Sequence, residues 1–248
     1  MDVGVTVGDS LDRMHSTLKG FDFAELSVGE GSGSPESLEI SRLSSILADA
    51  DADLCVHLPF EGVVATPIPE YNDAIVSYHT RLLEWAEQAG ARKAILHATV
   101  RDPYDVDQRP TFASQLEAIA AAGEEAGVEV VVENVGHQKR GLQLSVLGDL
   151  AEETDTPICF DVGHAYMEDG MDGITRFLKH HANRVSHLHV HDARSRGDTH
   201  IPLGAGEIDY DGVNEYLGDF DGTVAIEVFT DDRSLLLDTA DRIRSHLG

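Results

Sequence analysis

Cysteine is nearly absent from this chain. Cys55 and Cys159 are the only two in 248 residues, and each stands inside a short apolar run. Two such thiols build no disulfide framework and suit a reducing compartment, so a cytoplasmic location is expected. Positive charge is equally scarce. Eighteen Lys and Arg face 45 Asp and Glu, a net charge of −27, and only four of the cations are lysine. That balance argues against affinity built on counterion release from nucleic acid. Long apolar runs are missing as well: nothing approaches the roughly 18 apolar residues of a membrane span. The opening "MDVGVTVGDS" shows no basic or apolar region of a secretion signal, so no membrane partner is expected.

With 42% hydrophobic residues the chain is not disordered, and the charge must coat a folded surface. Dense surface carboxylates suit a halophilic protein, because at about molar salt the screening length falls to roughly 3 Å and self-repulsion largely disappears. An ordinary acidic protein is the alternative.

What is present is alternation. Short apolar runs mark strands at 2–7, 23–28, 53–58, 93–98, 128–134, 157–161, 184–190 and 223–229. Amphipathic stretches mark helices near 10–19, 36–49, 70–89, 111–126, 142–153, 171–182, 211–218 and 232–247. Ser10, Pro35, Pro110 and Asp232 read as helix starts, and Gly90 and Gly127 as helix stops. Eight strand–helix pairs without a linker predict one domain over 1–248, a single (β/α)8 TIM barrel, with an open doubly wound sheet as rival.

A barrel of this kind works at the C-terminal ends of its strands. His57, His97, Glu133 and Asp161 end predicted strands, and His189 and Glu227 lie near the ends of two more. His164 falls in the loop after Asp161, and Asp198 and His200 in the long loop after strand seven. Converging carboxylates would repel one another, and a divalent cation removes that conflict. The Glu, Asp, His, Glu set suits zinc or manganese better than calcium. Each residue alone has a plainer role: Asp161 as a helix cap, His187 as filler of a barrel layer or support for a ligand. His15, His79, His180, His181 and His246 fall on helix patterns and read as solvated. "LGAGE" (203–207) is a glycine turn, not a phosphate loop, since no Gly-Lys-Ser/Thr follows. Arg101, Arg109, Lys139, Arg140, Arg194 and Arg196 form a basic island in the loops of the active face, suited to a phosphate or carboxylate, or else paired with local acids.

The motifs "HLPF", "ILHA", "VVEN", "CFDVGHA", "HVHDA", "GDTHIPLGAGEID" and "AIEVF", in this order and spacing, resemble the xylose isomerase-like barrel superfamily. That superfamily holds sugar isomerases and epimerases together with endonuclease IV. The resemblance runs from 56 to 229, and the barrel pattern extends it to nearly the whole chain. It implies one divalent metal on Glu133, Asp161, His189 and Glu227, with Glu133 and Glu227 also the catalytic acid/base pair. His164 matches a histidine that touches the substrate. The nuclease likeness adds candidates for further ions: His57 and His97 with Glu133 on a second, and His164, Asp198 and His200 on a third. One ion is expected, and up to three have ligands.

The implied activity is isomerisation or epimerisation of a small sugar, sugar acid or sugar phosphate through a metal-stabilised enediolate, with His164 and Arg194 on the substrate's oxygens. Lys139, Arg140 and Phe60 complete the expected substrate contacts. The runner-up is a zinc-dependent phosphodiesterase acting on abasic DNA. A ligand-binding barrel without catalysis would need a vestigial site, which the intact ligand set argues against. Departures weigh against the nuclease: its cysteine before the loop histidine is Gly163 here, and its Asn-Asp-Ser-Lys reads His191-Asp192-Ala193-Arg194. Isomerases of this type often associate, which leaves a homo-oligomer open.

Overall fold

The computed structural model describes residues 1–136, 139–194 and 197–248, with all their side chains except those of Ser32 and Asp198. Arg196 and the Asp198 side chain, both singled out above, lie outside the described residues. In chain order the elements are β1 (Asp2–Gly8), α1 (Leu11–Thr17), β2 (Phe23–Ser27), α2 (Ile40–Ala50), β3 (Asp53–His57), α3 (Pro69–Ala89) and β4 (Ala91–His97). Then follow α4 (Arg109–Ala126), β5 (Glu129–Glu133), α5 (Leu144–Glu153), β6 (Ile158–Asp161), α6 (Val162–His181) and β7 (Val185–Val190). The chain ends with β8 (Asp192–Arg194), β9 (Gly197–Ile201), α7 (Tyr210–Leu217), β10 (Thr223–Ile226) and α8 (Arg233–Leu247).

Eight of these strands are parallel and close into a barrel in the order β1-β10-β7-β6-β5-β4-β3-β2. The expected single (β/α)8 barrel is what the chain forms. Local chemistry sets the element ends. Ser10 accepts the Arg13 N–H at the start of α1 and Asp232 that of Ser234 at the start of α8. Gly90 and Gly127, at φ 78° and 68°, end α3 and α4 in the left-handed region that glycine enters at little cost.

The barrel interior is layered. Phe23, Cys55, Ile95, Val131, Cys159 and Ala225 form a buried cluster of their own. Two residues further along the same chain segments come Glu25, His57, His97, Glu133, Asp161 and Glu227. Because side chains two apart share a strand face, an apolar plug sits directly beneath a ring of carboxylates and imidazoles. Gly4 makes room for the plug, since a Cβ there would lie 2.5 Å from the Phe23 ring.

The structure departs from the sequence expectations in four places. The second helix begins at Ile40 rather than after Pro35. Helix α6 starts immediately after Asp161, so His164 lies in its first turn and not in a loop. The stretch after β7 is a short antiparallel ribbon, β8 with β9, pairing Asp192 with Ile201 and Arg194 with Gly197. His79 is buried, with Nδ1–H donating to the Ile75 carbonyl at 2.8 Å, because its face of α3 turns inward. No helix among the described residues is long and apolar enough to cross a membrane.

Candidate metal centre

Asp161 is both cap and candidate ligand. As the residue before α6, its Oδ1 accepts the His164 N–H at 2.6 Å, satisfying one of the donors a helix start leaves open. Its backbone is clamped from β5: the Asn134 side chain accepts the Asp161 N–H and donates to the Asp161 carbonyl, both at 2.8 Å. Its Oδ2 lies 3.1 Å from the His164 ring, at Nδ1.

Glu133 stands at the middle of the histidines. Its Oε1 lies 3.1 Å from His189 Nδ1, and its Oε2 lies 3.2 Å from His57 Nε2 and 3.3 Å from His97 Nε2. Glu227 follows β10, and its N–H still donates to the Val190 carbonyl at 3.0 Å, which keeps the segment in line with the strand. Strand order places Glu133, Asp161, His189 and Glu227 on four consecutive staves, β5-β6-β7-β10. Burial alone would raise the Glu133 carboxyl, but the charge of His189 and then His97, with hydrogen bonds from His189 and His57, holds it well below the ordinary range. For Asp161 burial is likewise overcome, by His164 and His191. Burial also opposes a charged His189, yet Cys159, Glu25 and Glu133 raise it well above its ordinary value.

Donor atoms of Glu133, Asp161, His189 and Glu227 lie within 4.8 Å of one another. Asp161 Oδ2 lies 3.1 Å from His164 Nδ1 and 3.9 Å from His189 Nδ1, and Glu227 Oε2 lies 3.5 Å from His189 Nδ1 and 3.6 Å from His200 Nδ1, yet neither oxygen accepts a well-aligned hydrogen bond among the described residues. Lone pairs buried this way are costly, and a cation among them removes the cost. These residues therefore fit a divalent ion. Other groupings fit less well. Cys159 approaches His187 and His189, but burial pushes its thiol up, away from the thiolate that binds metal. His164, His191 and His200 also gather. The rings of His191 and His200, however, stack at 3.9 Å and 17°, so their in-plane lone pairs run side by side rather than converging.

The remaining expected residues divide. Phe60 is half-exposed, with its ring 6.1 Å from that of His57 and 6.2 Å from that of His97, at the rim of the site. Lys139 reaches inward, Nζ lying 3.2 Å from His164 Nε2. Arg194 does not hold a free position: its guanidinium donates to the Ala205 carbonyl at 2.7 and 3.1 Å and ties the ribbon to the following loop. Arg140 is exposed at φ 63°. In the glycine turn 203–207 the N–H groups of Gly204 and Gly206 both donate to Asp192 Oδ2, at 2.9 and 2.8 Å.

Glu25 and Phe229 carry no expectation from the sequence, and His191 is named there only within its motif. Glu25, fully buried, lies 3.1 Å from both His189 Nε2 and His187 Nε2; the even spacing from Phe23 within "FAELS" was its only signal. Burial works against its charge, but His189 and the hydrogen bonds of both imidazoles hold it below the ordinary carboxylate range. Burial in turn pushes His187 down to about 4, a neutral ring in the supporting place expected for it. His191, fully buried, puts Nε2 3.3 Å from Asp161 Oδ1. Phe229, strongly exposed, stacks on His200 at 4.0 Å.

The profile of the xylose isomerase-like TIM barrel family matches residues 16–247. The chain belongs to that family. Among the barrels it resembles in structure is a D-tagatose 3-epimerase-like protein, 20% identical, at a TM-score of 0.79 over 100% of this chain and 97% of the other. Another is the D-psicose 3-epimerase of Clostridium cellulolyticum H10, solved with D-tagatose, 16% identical at 0.78 over 100% and 99%. A sequence relative, an uncharacterized protein of Methanocaldococcus jannaschii, is 23% identical over 219 residues, covering 80% of this chain and 84% of its own. Membership of the family and the ring of donors at one barrel mouth agree with each other.

Proposed function

We propose that this xylose isomerase-like barrel is a divalent-metal-dependent isomerase or epimerase of a small sugar, sugar acid or sugar phosphate. The observation that carries the reading is the meeting of Glu133, Asp161, His189 and Glu227, two of their buried carboxylate oxygens accepting no well-aligned hydrogen bond among the described residues. Zinc or manganese suits this donor set, and such an ion supplies Lewis-acid polarisation of a carbonyl and its neighbouring hydroxyl. Glu133 and Glu227 bracket Asp161 and His189 around the barrel. One glutamate takes the proton from the carbon beside the carbonyl, and the other delivers a proton to complete isomerisation or inversion. Glu227, one-fifth exposed and with Oε2 no nearer than 3.5 Å to the imidazoles of His189 and His200, is the more accessible of the two. His164, with Lys139 against its Nε2, stands ready for a substrate oxygen, and Lys139 adds the positive charge an anionic substrate would meet.

The names of the structural neighbours make D-tagatose and D-psicose the first compounds to try. Incubation with either ketose in heavy water, with manganese or zinc supplied, should place deuterium at the carbon that loses its proton. Glu227→Gln should abolish the exchange. A loaded protein that exchanges no C–H in a panel of ketoses, sugar acids and sugar phosphates refutes the reading. One observation favours a second reading, a phosphodiesterase: Glu133 Oε2 sits between His57 and His97, where another ion could bind. Against it, the His191 ring fills the space beside Gly163 and stacks on His200, at the third nuclease position. Cleavage of abasic DNA in the same assay would decide for it.

A further inference from the structure

The ring beneath the site contains a carboxylate that the proposed chemistry does not use. Glu25 projects from the middle of β2, on the far side of His189 from the other three acids. His189 presents its two nitrogens to two different environments. Nδ1 looks toward Glu133, Glu227 and Asp161, at 3.1, 3.5 and 3.9 Å. Nε2 faces Glu25, 3.1 Å from Oε1 and 3.2 Å from Oε2, and the Cys159 thiol also lies near the ring. Glu25 is itself held: His187 Nε2 lies 3.1 Å from Oε2, and His187 Nδ1 lies 2.6 Å from Thr223 Oγ1. A neutral imidazole carries one proton. Both nitrogens face carboxylates, so a cation held by Glu133, Glu227 and Asp161 would decide between them: it would take the Nδ1 lone pair and leave the one proton on Nε2, against Glu25.

We infer that Glu25 is a positioning residue for the centre proposed above: it accepts the Nε2–H of His189 and fixes the ring angle so that Nδ1 is the metal-facing nitrogen. The inference rests on that metal reading. Histidine ligands that give their second N–H to a carboxylate bind more tightly, and loss of the carboxylate typically costs 10- to 100-fold in affinity. The line Thr223–His187–Glu25–His189 runs from β10 and β7 to β2, and every member of it is buried, so the ring is set from within the barrel.

The test is isothermal titration of metal-free wild type, Glu25→Gln and Glu25→Leu with zinc and with manganese, alongside their metal-free melting curves. Gln keeps an acceptor for Nε2–H but not the charge; Leu keeps neither. Affinity should fall in the order Glu, Gln, Leu, with about a 10- to 100-fold loss for Leu. The visible spectrum of the cobalt(II) form should shift as His189 loses its fixed angle. A merely space-filling Glu25 would lower the metal-free melting temperature and leave affinity and cobalt spectrum unmoved, which overturns the inference. Nitrogen-15 NMR of histidine rings in zinc-loaded wild type covers the case in which neither variant folds. A proton on His189 Nε2 with the metal on Nδ1 supports the assignment, and the reverse overturns it. A wild type that binds neither ion overturns the metal reading and this one together, whereas tight wild-type binding with unchanged variants overturns this one alone.

Discussion

The space beside Gly163 offers a worked perturbation. A methyl group placed there would lie 2.0 Å from Cε1 and 2.3 Å from Nε2 of His191, so the ring must retreat by more than an ångström to reach ordinary contact. It has little room to do so, being fully buried, stacked on His200 at 3.9 Å and set 3.3 Å from Asp161 Oδ1. Overpacking of this kind costs about 1–3 kcal/mol. Gly163 lies in the first turn of α6, where Ala would otherwise gain up to about 1 kcal/mol over Gly. Gly163→Ala should therefore destabilise the metal-free protein by about 1–2 kcal/mol, or about 2–8 °C in melting temperature. In a His191→Asn background the ring is gone, and the same change should be neutral or mildly stabilising. Urea unfolding of the four proteins, in EDTA at fixed KCl, reads the coupling. Equal effects in both backgrounds, within about 0.5 kcal/mol, would show that the two positions do not share this space.

Three further outcomes are expected. Asp161→Asn should keep the α6 cap, since Asn accepts the His164 N–H about as well, whereas Asp161→Ala loses about 1 kcal/mol more of metal-free stability. Zinc should raise the melting temperature of wild type but of neither variant, and an Asn variant that keeps the zinc shift counts against Asp161 as a ligand. With a net charge of −27, the metal-free protein should melt higher in molar KCl than in low salt, and a low-salt sample at least as stable excludes self-repulsion as a major term. Burial lowers His79, against a partial rise from its bond to the Ile75 carbonyl. Below the unfolded value of about 6.5 the unfolded chain then binds a proton that the native chain does not. The stability of wild type relative to His79→Leu should fall as pH drops from 7 to 5, and a pH-independent difference contradicts this.

The fold and the four principal candidate ligands could be read from the sequence because they share one signal. Glu133 and Asp161 terminate apolar runs, and His189 and Glu227 sit near the ends of others, which in a parallel barrel puts all of them at one mouth. Glu25 carried no such mark: it sits mid-strand, and only closure of the barrel brings it beneath His189. The sequence pattern starts the next helix only at 171, which leaves His164 in a loop, whereas the helix begins at Val162 and Gly163 gives the His191 ring its space. The β8–β9 ribbon is built from charged and small residues, so no apolar alternation announced it. His79 looked solvated because charged and polar residues surround it in sequence; its burial is decided by how α3 packs. Arg194 looked free for substrate, and the carbonyl of Ala205 that engages it lies eleven residues away.

The position of a bound ion decides the proposed site. Crystals soaked in manganese or zinc should show an anomalous peak among the carboxylates of Glu133, Asp161 and Glu227 and Nδ1 of His189. An empty map there under saturating metal, or ions bound only elsewhere on the acidic surface, would contradict it.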